Sequence, residues 1–236
     1  QDFAAIGVTR DGAFAEYVVA PEASLFPIGQ MSFEEGALVE PLACAIYGQK
    51  RARPQLGDSV LIFGAGPIGL LHLQLAKRNG AALAVVVDIK EERLALAKKL
   101  GADYSYLNNA ALGEELAKEF PLGFNLVIDC TGIPAVVEKA LGFVKNSGKL
   151  LVFGVCPPTG RISINPYDIY KRDLEIIGSF ALKKTFQPAI NMIESKLIDV
   201  SAVIGEEITI VQLPAQINKF IEGRTYMKTI VNFGHE

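Results

Sequence analysis

The six residues Gly64-Ala65-Gly66-Pro67-Ile68-Gly69 constrain this chain more than any others, because of what flanks them. Upstream lies the apolar run Val60–Phe63, too short for a helix and suited to a buried strand. Downstream, Ile68–Asn79 carries apolar residues at helical spacing and stops at Gly80. A G-x-G-x-x-G pattern in that setting has a mechanical reading. Gly64 permits a tight turn, Gly66 lets the backbone approach a ligand, and Gly69 lets the helix pack against the strand. The helix opened by Pro67 and Ile68 then offers unpaired N–H groups and a partial positive charge to a phosphate.

The rest of the chain repeats the strand-helix rhythm. Ala84–Val87, Leu126–Ile128, Leu150–Phe153 and Leu174–Ile177 read as buried strands, with a shorter one at Tyr104–Leu107. Between them, Glu91–Leu100, Leu112–Phe120 and Ala135–Leu141 read as helices, each stopped by Gly or Pro. Alternation of this kind implies parallel strands joined by right-handed crossovers. The expected fold class is therefore α/β, a doubly wound, six-stranded parallel sheet of the Rossmann type made of two mononucleotide-binding halves.

Asp88 follows Gly69 by 19 residues, at the end of the second strand. A carboxylate there can accept hydrogen bonds from ribose hydroxyls, so turn and carboxylate together point to a dinucleotide. A 2′-phosphate would meet a like charge at that position, which favours NAD over NADP. Arg93 keeps the alternative open: it can reach a 2′-phosphate, stack along an adenine, or sit in solvent.

Composition excludes other classes. The net charge is −3 and the 23 Lys and Arg are scattered singly, with no basic stripe to track a nucleic acid. No apolar run approaches a bilayer span, and Gln1–Asp2 does not begin a signal peptide, so no membrane partner is expected. Cys44, Cys130 and Cys156 are odd in number and far apart, which argues against a disulfide framework and for a reducing, cytoplasmic setting. The flanks differ from the middle. Phe14, Tyr17 and Val19 alternate after Arg10–Gly12, and Thr229–Phe233 is strand-like. The expected division is a remnant of a second domain over 1–40, a dinucleotide-binding domain over 41–183, and a return to the second domain over 184–236.

Taken in order, Asp11–Pro21 (DGAFAEYVVAP), Phe33–Ala43 (FEEGALVEPLA), Leu56–Leu71 (LGDSVLIFGAGPIGLL), Asp88, Arg93, Val127–Gly132 (VIDCTG) and Leu150–Gly154 (LLVFG) resemble the medium-chain zinc-dependent alcohol dehydrogenases. The polyol branch, with sorbitol, xylitol and arabitol dehydrogenases, is the most similar, and threonine dehydrogenase is a near relative. The resemblance covers essentially the whole chain. It implies that the flanks belong to a mostly β, GroES-like catalytic domain whose upstream zinc-binding segment, with a Cys and a His–Glu pair, is absent from this sequence.

The resemblance further implies NAD and zinc as cofactors, a polyol or related small alcohol as substrate, and a homodimer or homotetramer paired partly near Leu174–Gly178. It implies zinc-assisted hydride transfer from a secondary alcohol in a full-length parent, and cofactor binding without turnover in this chain alone. Glu40 of Glu40–Pro41–Leu42 becomes the first choice for the metal, with Cys44 the runner-up. Tyr47 stands where related sequences often carry His. The nicotinamide end is implied to be lined by Pro41, Cys130, Thr131, Gly132, Phe153, Gly154, Val155, Ser179 and Phe180. Two of these groups also follow strands, where doubly wound sheets bind ligands. Cys130 itself reads as a small buried apolar residue rather than a reactive one.

Other signals are discounted. Tyr167–Lys171 matches a Tyr-x-x-x-Lys pair without its usual surroundings, His72 reads as a packed or half-exposed helix residue, and His235 has no positional argument. Two other classes stay in view: a non-catalytic NAD-binding module and an adenosylmethionine-dependent methyltransferase.

Overall fold

A computed structural model describes residues 4–233. The readings made at Gln1–Asp2 and His235 lie outside the described residues.

The framework opens with α1 (Phe33–Ala37) and α2 (Val39–Ala52). Ser32 starts α1 with a reciprocal cap: its hydroxyl accepts from Glu35 N, and the Glu35 carboxylate accepts from Ser32 N. The alternation then runs β1 (Ser59–Phe63), α3 (Pro67–Arg78), β2 (Leu83–Asp88), α4 (Glu91–Lys99), β3 (Tyr104–Leu107) and α5 (Leu112–Glu119). It continues through β4 (Phe124–Asp129), α6 (Pro134–Leu141), β5 (Val144–Val152), α7 (Pro166–Arg172) and β6 (Glu175–Gly178).

The six strands form one parallel sheet in the order β3-β2-β1-β4-β5-β6, the doubly wound order of a dinucleotide-binding fold. Each of the six strands expected for this sheet is present. β5 begins earlier than its apolar run: Val144 pairs with Phe124 and Lys149 with Leu126, so residues 145–148 are accommodated by a register shift. Both faces of the sheet are covered. Val60 and Ile62 enter one core with Leu70, Leu73, Ile190 and Ile193, while Leu61 and Phe63 enter the other with Leu112, Leu116 and Val137. Burial on both faces makes Val60–Phe63 of β1 apolar throughout, and each large side chain so buried stabilises the fold by about 1.5–3 kcal/mol.

After the sheet come α8 (Phe186–Glu194), β7 (Ile204–Thr209), α9 (Leu213–Ile221) and β8 (Lys228–Asn232). β7 and β8 pair in parallel as a separate two-stranded sheet, which places the expected strand at Thr229–Phe233. The alternation at Phe14, Tyr17 and Val19 forms no strand: residues 11–21 are bends and irregular chain, with Val19 96% exposed. Alternating apolar residues make a strand only when a neighbouring strand completes the ladder, and the described residues supply none there. No described helix is long and apolar enough to cross a membrane.

Candidate active site

Because the strands are parallel, the turns after β1, β2, β4, β5 and β6 gather along one edge of the sheet. The turn after β1 is held at Gly64, whose φ of +99° suits glycine and whose N–H donates to Val87 O at 2.7 Å. A methyl group on Gly69 would overlap the Gly64 carbonyl oxygen. Pro67 starts α3 with Gly66 before it, and no side chain caps the helix, which leaves its first amides for a ligand.

Asp88 ends β2 and is 7% exposed. Its Oδ2 accepts from Ala65 N at 2.6 Å, inside the glycine turn, and its Oδ1 accepts from Lys90 N at 2.9 Å. A carboxylate has roughly four lone-pair sites, so about two remain for ribose hydroxyls. Arg93, whose placement the sequence left open, donates from Nη2 to Tyr226 O at 2.9 Å and Thr225 O at 3.4 Å. Its Nη1 lies 3.9 Å from Asp88 Oδ2.

At the other end, Asp129 is a residue that the sequence reading passed over inside VIDCTG. It is fully buried at the end of β4. Its Oδ1 accepts from Thr131 N at 3.0 Å and Thr131 Oγ1 at 2.6 Å, and its Oδ2 from Gly132 N at 3.2 Å. Its main-chain carbonyl accepts from Phe153 N and Gly154 N at 3.1 and 2.8 Å, so one residue joins the turns after β4 and β5. A methyl group on Gly154 would overlap the Gly132 nitrogen. The available signal was an acid closing an otherwise apolar, doubly buried run. Burial, then the neighbouring Asp129 charge, pushes the Cys130 thiol well above its usual range, so it stays protonated.

The mouth of this edge is apolar. Ile89, Ile133, Val155 and Phe180 follow β2, β4, β5 and β6, and all four side chains are exposed. Ser179 Oγ is buried there without a hydrogen-bond partner. His72 is fully buried behind it, packed edge-on against Phe153 with ring centroids 4.5 Å apart. Burial pulls the imidazole down to about 3, so it is neutral, and Gln49 Nε2 donates to His72 O at 2.8 Å. Tyr167 and Lys171 lie elsewhere, on α7, with the ammonium 6.0 Å from the ring centroid. Lys171 shortly precedes the amino end of β6, the edge opposite the glycine turn.

Glu40 and Cys44 share a face of α2, where Cys44 Sγ donates to Glu40 Oε1 at 3.1 Å. Glu40 and Pro41 border a cleft of about 960 Å³, lined also by Asp11, Phe14, Lys228 and Ile230. Carboxylate and thiolate are suitable zinc donors, but no group of three ligating side chains occurs among the described residues. The pair alone therefore falls short of a catalytic zinc site.

The model of the family described as zinc-binding dehydrogenase matches residues 67–195. The fold, the glycine turn and this match place the chain in the medium-chain zinc-dependent dehydrogenase family, and within it in the polyol dehydrogenase branch, similar to the sorbitol and arabinitol dehydrogenases. D-arabinitol dehydrogenase 1 of Uromyces fabae is 35% identical over 209 residues, covering 86% of this chain and 60% of the relative. D-altritol 5-dehydrogenase of Agrobacterium fabrum is 39% identical over 197 residues, 81% of this chain and 56% of the relative. The chain thus spans only about half to three-fifths of the curated relatives it matches.

Among solved structures, an Escherichia coli CFT073 alcohol dehydrogenase complexed with NADH superimposes with a TM-score of 0.90 at 26% identity, covering 98% of this chain and 68% of that one. A zinc-binding dehydrogenase from Sinorhizobium meliloti 1021 bound to NADP gives 0.87 at 29% identity, covering 96% and 68%.

Proposed function

We propose that this chain holds NAD(H) along the carboxyl edge of its six-stranded sheet and forms the cofactor-binding part of a dehydrogenase acting on a secondary alcohol of a polyol or related small alcohol. One observation carries the reading: Asp88, at the end of β2, is tied directly to the glycine turn through Ala65 N. Pyrophosphate then lies against Gly64–Gly69 and the start of α3, and Asp88 takes the ribose hydroxyls. The exposed Val155 and Phe180 cover the nicotinamide end with Cys130–Gly132, Phe153, Gly154 and Ser179, where Asp129 holds the turns in register. The nicotinamide supplies the hydride acceptor when bound. NAD is favoured over NADP because the buried carboxylate would meet a 2′-phosphate as a like charge.

Glu40, with Cys44 second, is the residue read as facing a zinc ion, and no step is derived through that ion. The chain as described binds cofactor without alcohol turnover. The division into 1–40, 41–183 and 184–236, assembly as a homodimer or homotetramer through the β6 edge, and a cytoplasmic setting belong to the same reading.

The test is a fluorescence titration of the purified chain with NADH and NADPH, alongside turnover assays with sorbitol, xylitol, arabitol and threonine in the presence of zinc. Tighter NADH binding and no turnover are expected. Equal affinity for the two cofactors would overturn the NAD assignment. Enzyme-like turnover would overturn the incomplete metal site.

A further inference from the structure

The adenosine end of the crevice is closed by a segment far away in sequence. Between α9 and β8, the turn Gly223–Tyr226 lies against the start of α4 through four hydrogen bonds. Lys90 Nζ donates to Gly223 O at 3.3 Å, Arg93 Nη2 to Thr225 O at 3.4 Å and to Tyr226 O at 2.9 Å, and Tyr226 Oη to Glu92 O at 3.4 Å. The Arg93 side chain is 20% exposed and its Nη1 stands 3.9 Å from the place a Gly66 side chain would begin, so the guanidinium sits at the rim of the glycine turn. Arg224 of the same turn is paired with Glu222. Each of these cations is thus engaged with the chain, Arg93 through the bonds of Nη2 and the proximity of Nη1 to Asp88, while its buried Nε has no hydrogen-bond partner.

We propose that the Gly223–Tyr226 turn determines cofactor choice by holding the Arg93 guanidinium on its carbonyls, which leaves Asp88 to meet the ribose 2′ position and gives a 2′-phosphate no free cation. The inference rests on the reading that the crevice holds NAD(H). Its physical basis is donor geometry. The guanidinium offers a rigid fork of N–H groups, and the Nη2 donors of Arg93 point at two carbonyls while Nη1 faces Asp88. Turning the fork toward a phosphate would break those bonds and leave two carbonyls without their donors. Arginine in this position thus acts as a strut under Asp88, positioning a carboxylate that already accepts from Ala65 N and Lys90 N.

The experiment uses the native chain, Asp88→Ser, Arg93→Met and the double variant, each titrated with NADH and NADPH. Asp88→Ser is expected to weaken NADH about tenfold or more, since charge-assisted bonds to two hydroxyls are lost. Adding Arg93→Met to Asp88→Ser is expected to change both dissociation constants by the same factor, within about twofold, because the arginine does not touch the phosphate. If Arg93→Met instead weakens NADPH about tenfold more than NADH, the arginine serves the 2′-phosphate and the proposal fails. A second readout needs no change at Asp88. Arg93→Met should speed amide hydrogen exchange over residues 222–228 by about fivefold or more while leaving β1 and β4 protected. Unchanged exchange would show that the arginine does not hold the turn, and would overturn the proposal. A folded native chain that binds neither dinucleotide would overturn the cofactor reading itself, an outcome distinct from both.

Discussion

Cys44 Sγ donates its proton to Glu40 Oε1 at 3.1 Å, one helical turn back along α2. Burial first, then the hydrogen bond and charge of Glu40, push the thiol up to about 12. Raising the value favours the neutral thiol, so thiolate is scarce at neutral pH and grows only toward strongly alkaline conditions. Glu40→Gln removes the charge and should increase alkylation of Cys44 at pH 8 by about three- to tenfold, read by peptide mass spectrometry. An unchanged rate would mean that burial alone sets the thiol.

His72 gives a pH dependence of stability. Its imidazole is pulled by burial from 6.5 to about 3 in the folded chain. The unfolded chain therefore takes up a proton that the folded one refuses, so stability present above pH 6.5 is lost progressively as pH falls toward 3. The slope from this residue is at most about 1.4 kcal/mol per pH unit. Urea unfolding at pH 7, 6 and 5 should show a smaller acid loss in His72→Gln than in the native chain. Identical slopes would place the imidazole in water.

Gly69→Ala should be severe, because its methyl group has nowhere to go but into the Gly64 carbonyl. Overpacking of this sort destabilises by about 3 kcal/mol, and any protein that folds must open the turn between β1 and α3. Loss of both thermal stability and NADH binding is expected. Full retention of binding in a stable Ala variant would show that the turn does not carry the pyrophosphate.

Asp129→Asn replaces a fully buried acceptor of three side-chain hydrogen bonds by a group that can accept on one atom only. A stability loss of about 2 kcal/mol is expected, with NADH affinity falling as the turns after β4 and β5 lose their common anchor. Measured by urea unfolding and titration, a variant that loses neither would remove Asp129 from the site.

The sheet was readable in the sequence because its strands are buried on both faces, so Val60–Phe63 of β1 and Leu83–Val87 of β2 are apolar without interruption and glycine or proline marks the ends of the helices between them. The glycine turn and Asp88 were readable because their spacing is local. What escaped lies outside that rhythm. α9 has Pro214 in its first turn and apolar residues at 213, 217 and 220, a fair amphipathic pattern, yet Phe220 and Ile221 stay exposed, so no burial accompanies the periodicity. Phe14, Tyr17 and Val19 carried a strand-like alternation, which a sheet must complete before it becomes structure. Asp129 was hidden because a single acid ending an apolar run looks like a strand terminus, and its partners Thr131 and Gly132 do not advertise that they need an acceptor. The partners of Arg93 are main-chain carbonyls, which any residue type could supply, so nothing in the identity of Thr225 or Tyr226 marks them.

The two ends of the crevice close over very different lengths of chain. The bond from Ala65 N to Asp88 spans 23 residues, whereas the bond from Arg93 to Tyr226 O spans 133. By simple polymer statistics the longer loop costs about 1.6 kcal/mol more in chain entropy. During synthesis the glycine turn and its carboxylate can meet as soon as β2 has emerged, while the adenosine rim waits for residues 223–226, more than a hundred positions later. A half-made molecule would thus present a phosphate cradle open on one side, and the order in which the ribosome delivers these segments decides when a nucleotide can first be retained.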